Sequence, residues 1–179
     1  MDIREIPPGR NPPDEVNAFI EIPFGGLPVK YELDKASGAL FVDRFLHTSM
    51  IYPSNYGLIP GTLAEDGDPL DILVVTPMPV IAGAVIRSRP VGVRLMSDEK
   101  GVDEKILAVP VDALNPFYRD VKTHRDLPPL LVEQIAHFFR HYKDLEPGKG
   151  AQVGEWAPLD AARERILQAI TRARREDDK

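Results

Sequence analysis

Proline and glycine cut this chain so finely that long elements have little room: 18 prolines and 13 glycines fall among 179 residues. Proline removes a backbone donor and glycine loosens the backbone, so both tend to end helices and strands. That punctuation predicts many turns and short elements rather than a helical bundle. Between Val16 and about Val111 the apolar residues come in short runs: Val16–Ile22, Val29–Leu33, Ala39–Leu46, Ile72–Val75, Val85–Met96 and Ile106–Val109. Strand-length runs bounded by Gly and Pro predict a small β-barrel or sandwich over residues 15–112. Residues 1–14 are Pro-rich and polar and read as an arm lying on the surface.

The period changes in the C-terminal third. After Pro128-Pro129, Leu131, Ile135, Phe138, Tyr142 and Leu145 recur every three or four residues, which predicts an amphipathic helix over 128–145. A second helix over 158–175 would bury Leu159, Ala162, Ile166, Ala169, Ile170 and Ala173, and the charged tail Arg172–Lys179 is expected to fray. The expected fold class is mainly β with flanking helices (α+β), in one domain. A hydrophobic fraction of 43% is enough for a packed core.

Composition narrows the chemistry. The absence of cysteine excludes disulfide scaffolds, thiolate metal sites and thiol nucleophiles. With 22 basic against 28 acidic residues the net charge is −6, which argues against nucleic-acid binding through bulk positive charge. The first residues lack the apolar core of a signal peptide, and the longest apolar stretch, near Val80–Ile86, is far too short to span a bilayer. The expectation is a soluble cytoplasmic protein with no membrane partner.

The most informative segment is Glu65-Asp66-Gly67-Asp68-Pro69-Leu70-Asp71. Three aspartates separated by Gly and Pro suit a tight loop leading into Ile72–Val75. No lysine occurs between Lys35 and Lys100, so no neighbour in sequence neutralises them. Crowded carboxylates raise one another's pKa unless cations stand between them, and hard divalent ions are natural partners. The same composition is also good turn chemistry, so a solvated acidic turn is an equal reading. The spacing is wrong for an EF-hand, because Leu70 and Asp71 fall where an oxygen ligand and glycine are required. Asp98-Glu99-Lys100-Gly101-Val102-Asp103-Glu104-Lys105 alone reads as an ordinary hairpin loop; beside the first cluster it becomes a second wall of a metal site.

Lys30 and Glu32 share a face of one strand, Arg44 lies in another, and Tyr52 and Tyr56 flank Pro53-Ser54-Asn55, read as a rigid turn. Tyr142 falls on the apolar stripe of the first helix and precedes Lys143. Each of these alone is more often structural. Together with a carboxylate cage they suit a small, highly charged phosphate. His137 and His141 are one helical turn apart and are spaced to bind zinc, but the metalloprotease Glu is missing, which favours a structural or subunit-contact role.

In order along the chain stand Ile20-Glu21-Ile22-Pro23, Lys30-Tyr31-Glu32, Gly38 to Arg44, Tyr52-Pro53-Ser54-Asn55-Tyr56-Gly57, Asp66 to Val74, Asp98-Glu99, Asp103-Glu104-Lys105 and Ile135 to Leu145. This ordered set closely resembles the bacterial magnesium-dependent soluble inorganic pyrophosphatases, known as family I. The resemblance implies a five-stranded barrel of the oligonucleotide-binding (OB) type, hydrolysis of pyrophosphate to two phosphates, and a cytoplasmic homohexamer built as a dimer of trimers. It implies several Mg²⁺ ions per site, with Mn²⁺ a substitute. Asp66, Asp71 and Asp103 match ligands of the activating metals, with Asp71 shared between two. Asp98 matches a ligand for metal arriving with substrate, and Glu21 and Glu32 line that side. Asp68 matches the residue that holds the attacking water. Lys30, Arg44, Tyr56, Lys105, Tyr142 and Lys143 match the phosphate binders, with Tyr52 in the same pocket. The stretch Gly148 to Val153 departs from relatives that carry Lys-Trp after the glycine, which concerns local packing.

Two rivals remain at this stage. Barrels of the oligonucleotide-binding type bind nucleic acid through Arg, Lys and aromatic residues, but a net charge of −6 and carboxylates in the groove would repel a phosphate backbone. Metal-dependent hydrolysis of another small phosphate ester is chemically close to pyrophosphate hydrolysis.

Overall fold

The computed structural model describes residues 3–99 and 101–177. Among the described residues nine strands and two α-helices follow one another: β1 (Val16–Ile22), β2 (Val29–Leu33), β3 (Leu40–Phe45), β4 (Asn55–Leu58), β5 (Asp71–Val74), β6 (Val85–Asp98), β7 (Gly101–Val102), β8 (Lys105–Pro110), α1 (Pro129–His141), β9 (Ala151–Ala157) and α2 (Leu159–Asp177). Five strands run in the order β1-β4-β5-β8-β6, and β6 pairs back onto β1, closing a ring. The β5–β8 pair is parallel and the other ring pairs are antiparallel. Strand β6 is long enough to pair with β1, β8 and β9 in turn, and it bulges where Pro90 and Gly92 interrupt the ladder.

The ring strands are apolar on both faces. Ile72 and Val74 face one cluster, with Ala162, Ile166, Ala169 and Ile170 of α2. Leu73 and Val75 face another, with Ile135, Phe138, Phe139 and Tyr142 from α1 and its end. A strand covered on both sides reads as an unbroken apolar run, which is why Ile72–Val75 shows no alternation.

Three sequence expectations about the strands and the first helix need correction. Asn55 belongs to a strand rather than to a turn. Its amide donates to Val74 O at 3.0 Å and Thr76 Oγ1 at 2.6 Å, and its Oδ1 accepts from Phe24 N at 3.0 Å and Val80 N at 2.8 Å. Next to it, a Cβ at Gly57 would lie 1.9 Å from Phe19 O, so only glycine lets β4 approach β1 this closely. Strands β2 and β3 form a separate hairpin instead of joining the ring, so the fifth ring strand is β4. Helix α1 stops at His141, before the expected 145; the chain then turns by three-residue bonds, Asp144 N to His141 O and Glu146 N to Lys143 O. That turn exposes Leu145 and carries Lys143 inward.

At the ends of the chain, the arm is tied down: Ile3 is buried with Phe19, Leu33 and Leu58. Met1 and Asp2 of the arm, Lys100, and Asp178 and Lys179 of the tail lie outside the described residues. The tail stays helical to Asp177 rather than fraying from Arg172. None of the described helices is long and apolar enough to cross a membrane.

Candidate active site

One cavity of about 310 Å³ gathers Glu21, Lys30, Glu32, Arg44, Tyr56, Asp66, Asp68, Asp71, Asp98, Asp103, Lys105, Tyr142 and Lys143. Every site residue named from the sequence therefore lines it except Tyr52. Tyr52 is buried behind the wall, with its ring 5.5 Å from Tyr56 and 4.6 Å from Phe138, and burial pushes its phenol pKa upward.

The parallel pairing of β5 and β8 sets Asp71 directly beside Lys105. Lys105 Nζ lies 2.5 Å from Asp71 Oδ2 and 2.5 Å from Asp103 Oδ1, and it is almost fully buried. Tyr56 donates its hydroxyl to Asp71 Oδ2 at 2.7 Å. Burial works against the Lys105 charge, but the two aspartates outweigh it and hold its pKa above the ordinary lysine value. Burial pushes Asp103 up to about 6; Lys105 opposes that rise and Asp71 adds to it. Glu21 accepts Leu33 N–H at 2.8 Å, yet burial still pushes its carboxyl up to about 8.

The signature loop is shaped by Gly67, whose φ of +89° suits glycine, and by Asp66 Oδ1, which accepts the Asp68 N–H at 3.0 Å. Lys35 Nζ lies 3.0 Å from Asp68 Oδ1. Cations from outside the lysine-free stretch thus reach the carboxylates that sequence proximity left unpartnered: Lys35 from the hairpin turn and Lys105 from β8.

On the β2–β3 hairpin, Lys30 and Arg44 are direct cross-strand partners. Like charges so placed repel, and carboxylates offset this. Asp43 stands 3.0 Å from Lys30 and 3.8 Å from Arg44, and Glu146 stands 3.3 Å from Arg44. Burial disfavours the Lys30 charge, but Glu32 and Asp43 raise its pKa above the usual value. The turn after α1 points Lys143 at Asp98, 3.0 Å away, and Glu99, 3.2 Å away.

The sequence reading did not single out Lys35, Asp43, Glu99 or Lys149, which also line the cavity. Asp43 and Glu99 adjoin assigned residues and were within reach of the motifs. Lys35 sits in an ordinary Asp-Lys-Ala-Ser-Gly turn and carries no local signal. The rings of His137 and His141 lie 4.6 Å apart, tilted by 46°, on α1 outside the cavity, and His141 Nδ1 is 2.8 Å from Asp144.

Among the described residues no three His, Asp or Glu side chains converge tightly enough to enclose a metal. Asp66, Asp71 and Asp103 share the cavity without forming a closed triad, and Lys105 stands between the latter two. The donor set suits a hard divalent cation all the same: the acidic lining is all carboxylate, with no thiolate or imidazole.

A closed ring of strands holding a cavity of carboxylates, lysines and phenols defines a phosphate-processing hydrolase. The family model described as inorganic pyrophosphatase matches residues 18–174. An inorganic pyrophosphatase of Caulobacter vibrioides is 63% identical over 172 residues, covering 96% of this chain and 97% of that one. The crystal structure of an inorganic phosphatase from Anaplasma phagocytophilum superposes with a TM-score of 0.93 at 50% identity, over 95% of this chain and 99% of that one. That of an inorganic pyrophosphatase from Thermus thermophilus gives 0.92 at 39% identity, over 97% and 99% of the two chains. The chain belongs to the inorganic pyrophosphatase family.

Proposed function

We propose that this cavity hydrolyses inorganic pyrophosphate to two orthophosphates, that Mg²⁺ is its metal with Mn²⁺ a substitute, and that Asp68 holds the attacking water. Pyrophosphate hydrolysis is the activity of the family, whose members depend on metal. The observation that carries the reading is the convergence, on one cavity, of two acidic segments, 66–71 and 98–103, with Lys30, Arg44, Lys105, Lys143 and the phenols of Tyr56 and Tyr142.

Asp66, Asp71 and Asp103 would hold the activating metal, with Asp71 shared; Asp98, Glu21 and Glu32 would receive metal entering with substrate. Bound there, a divalent ion lowers the pKa of water and offsets the charge of the phosphates. Asp68 supplies a carboxylate oxygen that orients the water and takes its proton, and Lys35 fixes that carboxylate from 3.0 Å. The water oxygen bonds to one phosphorus while the bond from that phosphorus to the bridging oxygen breaks, and the bridging oxygen keeps the electron pair. Arg44, Lys143 and the Tyr142 hydroxyl donate to the leaving phosphate as its charge grows. Burial pushes the Tyr142 phenol above its ordinary pKa, so it stays a donor at neutral pH. Lys30, Tyr56 and Lys105 bind the remaining phosphate oxygens. The homohexamer, with the His137/His141 face of α1 as a contact, and the cytoplasmic location rest on the family resemblance.

The test is phosphate release from pyrophosphate with Mg²⁺, after EDTA, and after Mg²⁺ is returned, beside a panel of phosphomonoesters. Release that EDTA abolishes and Mg²⁺ restores is expected, with the esters cleaved far more slowly. Absence of release at every metal concentration would overturn the reading.

A further inference from the structure

Both acidic segments of the site are gripped from behind by one face of α2. Arg165 forks onto Glu104, Nε to Oε2 at 2.8 Å and the second guanidinium nitrogen to Oε1 at 3.2 Å. Glu104 lies between Asp103 and Lys105. Two helical turns further on, Arg172 donates to Leu63 O at 2.7 Å and lies 3.7 Å from Glu65. The Leu63 N–H donates to Ala169 O of the same helix at 3.0 Å. Glu65 immediately precedes Asp66.

Residues seven apart share a helix face, so one rigid rod holds both segments. The rod is anchored because Ala162, Ile166, Ala169 and Ile170 are buried against the ring. Between the segments lies a second cavity of about 280 Å³, lined by Glu65, Val102, Glu104, Arg165 and Arg172 among others. Side-chain packing does not fill this gap; α2 bridges it, with Arg165 holding one segment and Arg172 the other. A bidentate fork fixes angle as well as distance, which a lysine does not.

We infer that Arg165 and Arg172 are positioning residues that set the spacing between the Asp66–Asp71 segment and the Asp103 segment. The inference rests on the proposed function in taking those segments as the metal-holding walls. Neither arginine lines the site cavity. Their effect passes through Glu104 and the backbone at Leu63.

The test uses the full chain, stripped of metal, with Arg165→Met, Arg172→Met and Arg165→Lys. Arg163→Met is the control, because Arg163 lies on α2 but pairs with Asp14 and Asp160. Calorimetric Mg²⁺ binding should weaken about 10-fold in each Met variant, as for outer partners of metal ligands. Arg165→Lys should fall between them and the unmodified protein, and Arg163→Met should match the unmodified protein. Amide exchange over residues 62–70 and 101–105 in the metal-free protein should quicken in the two Met variants only. The Mg²⁺ requirement of activity should rise while KM for magnesium pyrophosphate stays nearly constant. Folded Met variants with unaltered exchange and unaltered Mg²⁺ affinity would overturn the inference, as would an equal loss in Arg163→Met. If the unmodified protein binds Mg²⁺ but releases no phosphate, the proposed function fails, while exchange and affinity still decide the role of the arginines.

Discussion

The two acidic walls of the site are alike in composition and opposite in environment. In the segment from Glu65 to Asp71, the Asp68 side chain is 42% exposed and that of Glu65 is 62% exposed. In the segment from Asp98 to Lys105, Asp98 is 11% and Asp103 15% exposed, and Lys105 is 3% exposed. Sequence emphasis runs the other way: the first segment announces itself and the second resembles a hairpin loop. Burial, which composition does not reveal, raises the pKa of Asp103. The exposed wall is open to water, whereas the buried wall keeps its carboxylates ionised only with a cation beside them, such as the Lys105 ammonium.

The sharpest test separates two roles within the first wall, water-holding at Asp68 and metal-holding at Asp71, where Asp71 reaches across to Lys105 of the second wall. Asp68→Asn should leave Mg²⁺ affinity nearly intact and lower turnover about 10²–10⁴-fold, the usual loss for a general base. Asp71→Asn should weaken Mg²⁺ binding and lose turnover together, because Asp71 touches both Lys105 and Tyr56 and is assigned to two metals. Excess Mg²⁺ should recover part of the activity of Asp71→Asn and almost none of Asp68→Asn. A magnesium titration of activity beside calorimetry checks both. Equal loss of affinity in the two variants would erase the distinction.

A somewhat smaller effect tests the buried wall by stability. Lys105→Met leaves Asp71 and Asp103 without the ammonium between them. Removing one partner of a buried ion pair typically costs about 3–5 kcal/mol, and urea unfolding of the metal-free variant should show a loss of that order. Lys35→Met, which removes the cation beside the exposed Asp68, should cost under about 1 kcal/mol. Similar losses at both positions would mean that the two walls do not differ in the way their burial implies.

Much of this arrangement is legible in the sequence, and the parts that are not share a cause. The ring strands other than β4 follow from apolar runs, and α2 follows from its period. Thirteen cavity residues follow from ordered motifs, because the chemistry needs those side-chain types. Strand β4 escapes because Asn55 and Gly57 are poor strand formers locally; a buried network of four amide hydrogen bonds and a close backbone approach make them strand residues. The end of α1 escapes because Leu145 continues the helical period while the chain turns three residues earlier. The cation partners escape because Lys35 and Lys105 reach the aspartates across the fold, and sequence distance says nothing about that. Tyr52 was placed in the pocket by its motif, whereas the ring packs behind it.

The most gradual expected effect, spread over several pH units, concerns pH. In the folded protein the carboxyls of Glu21 and Asp103 sit at about 8 and about 6, above their ordinary 4.5 and 3.8. Folding therefore tightens proton binding at both. The stability these groups contribute is fully present below the ordinary carboxylate range. It is lost as pH rises through about 6 for Asp103 and through about 8 for Glu21. Metal-free protein should thus melt at falling temperature between about pH 5 and about pH 9, with a total effect on the order of a few kcal/mol. Glu21→Gln should flatten the upper part of that slope and Asp103→Asn the lower part. Added Mg²⁺ should flatten the slope in the unmodified protein, since a cation favours the ionised carboxylates. Thermal unfolding across that pH range, with and without Mg²⁺, reads all three; a flat profile in the metal-free protein would mean that burial does not hold protons on Glu21 and Asp103.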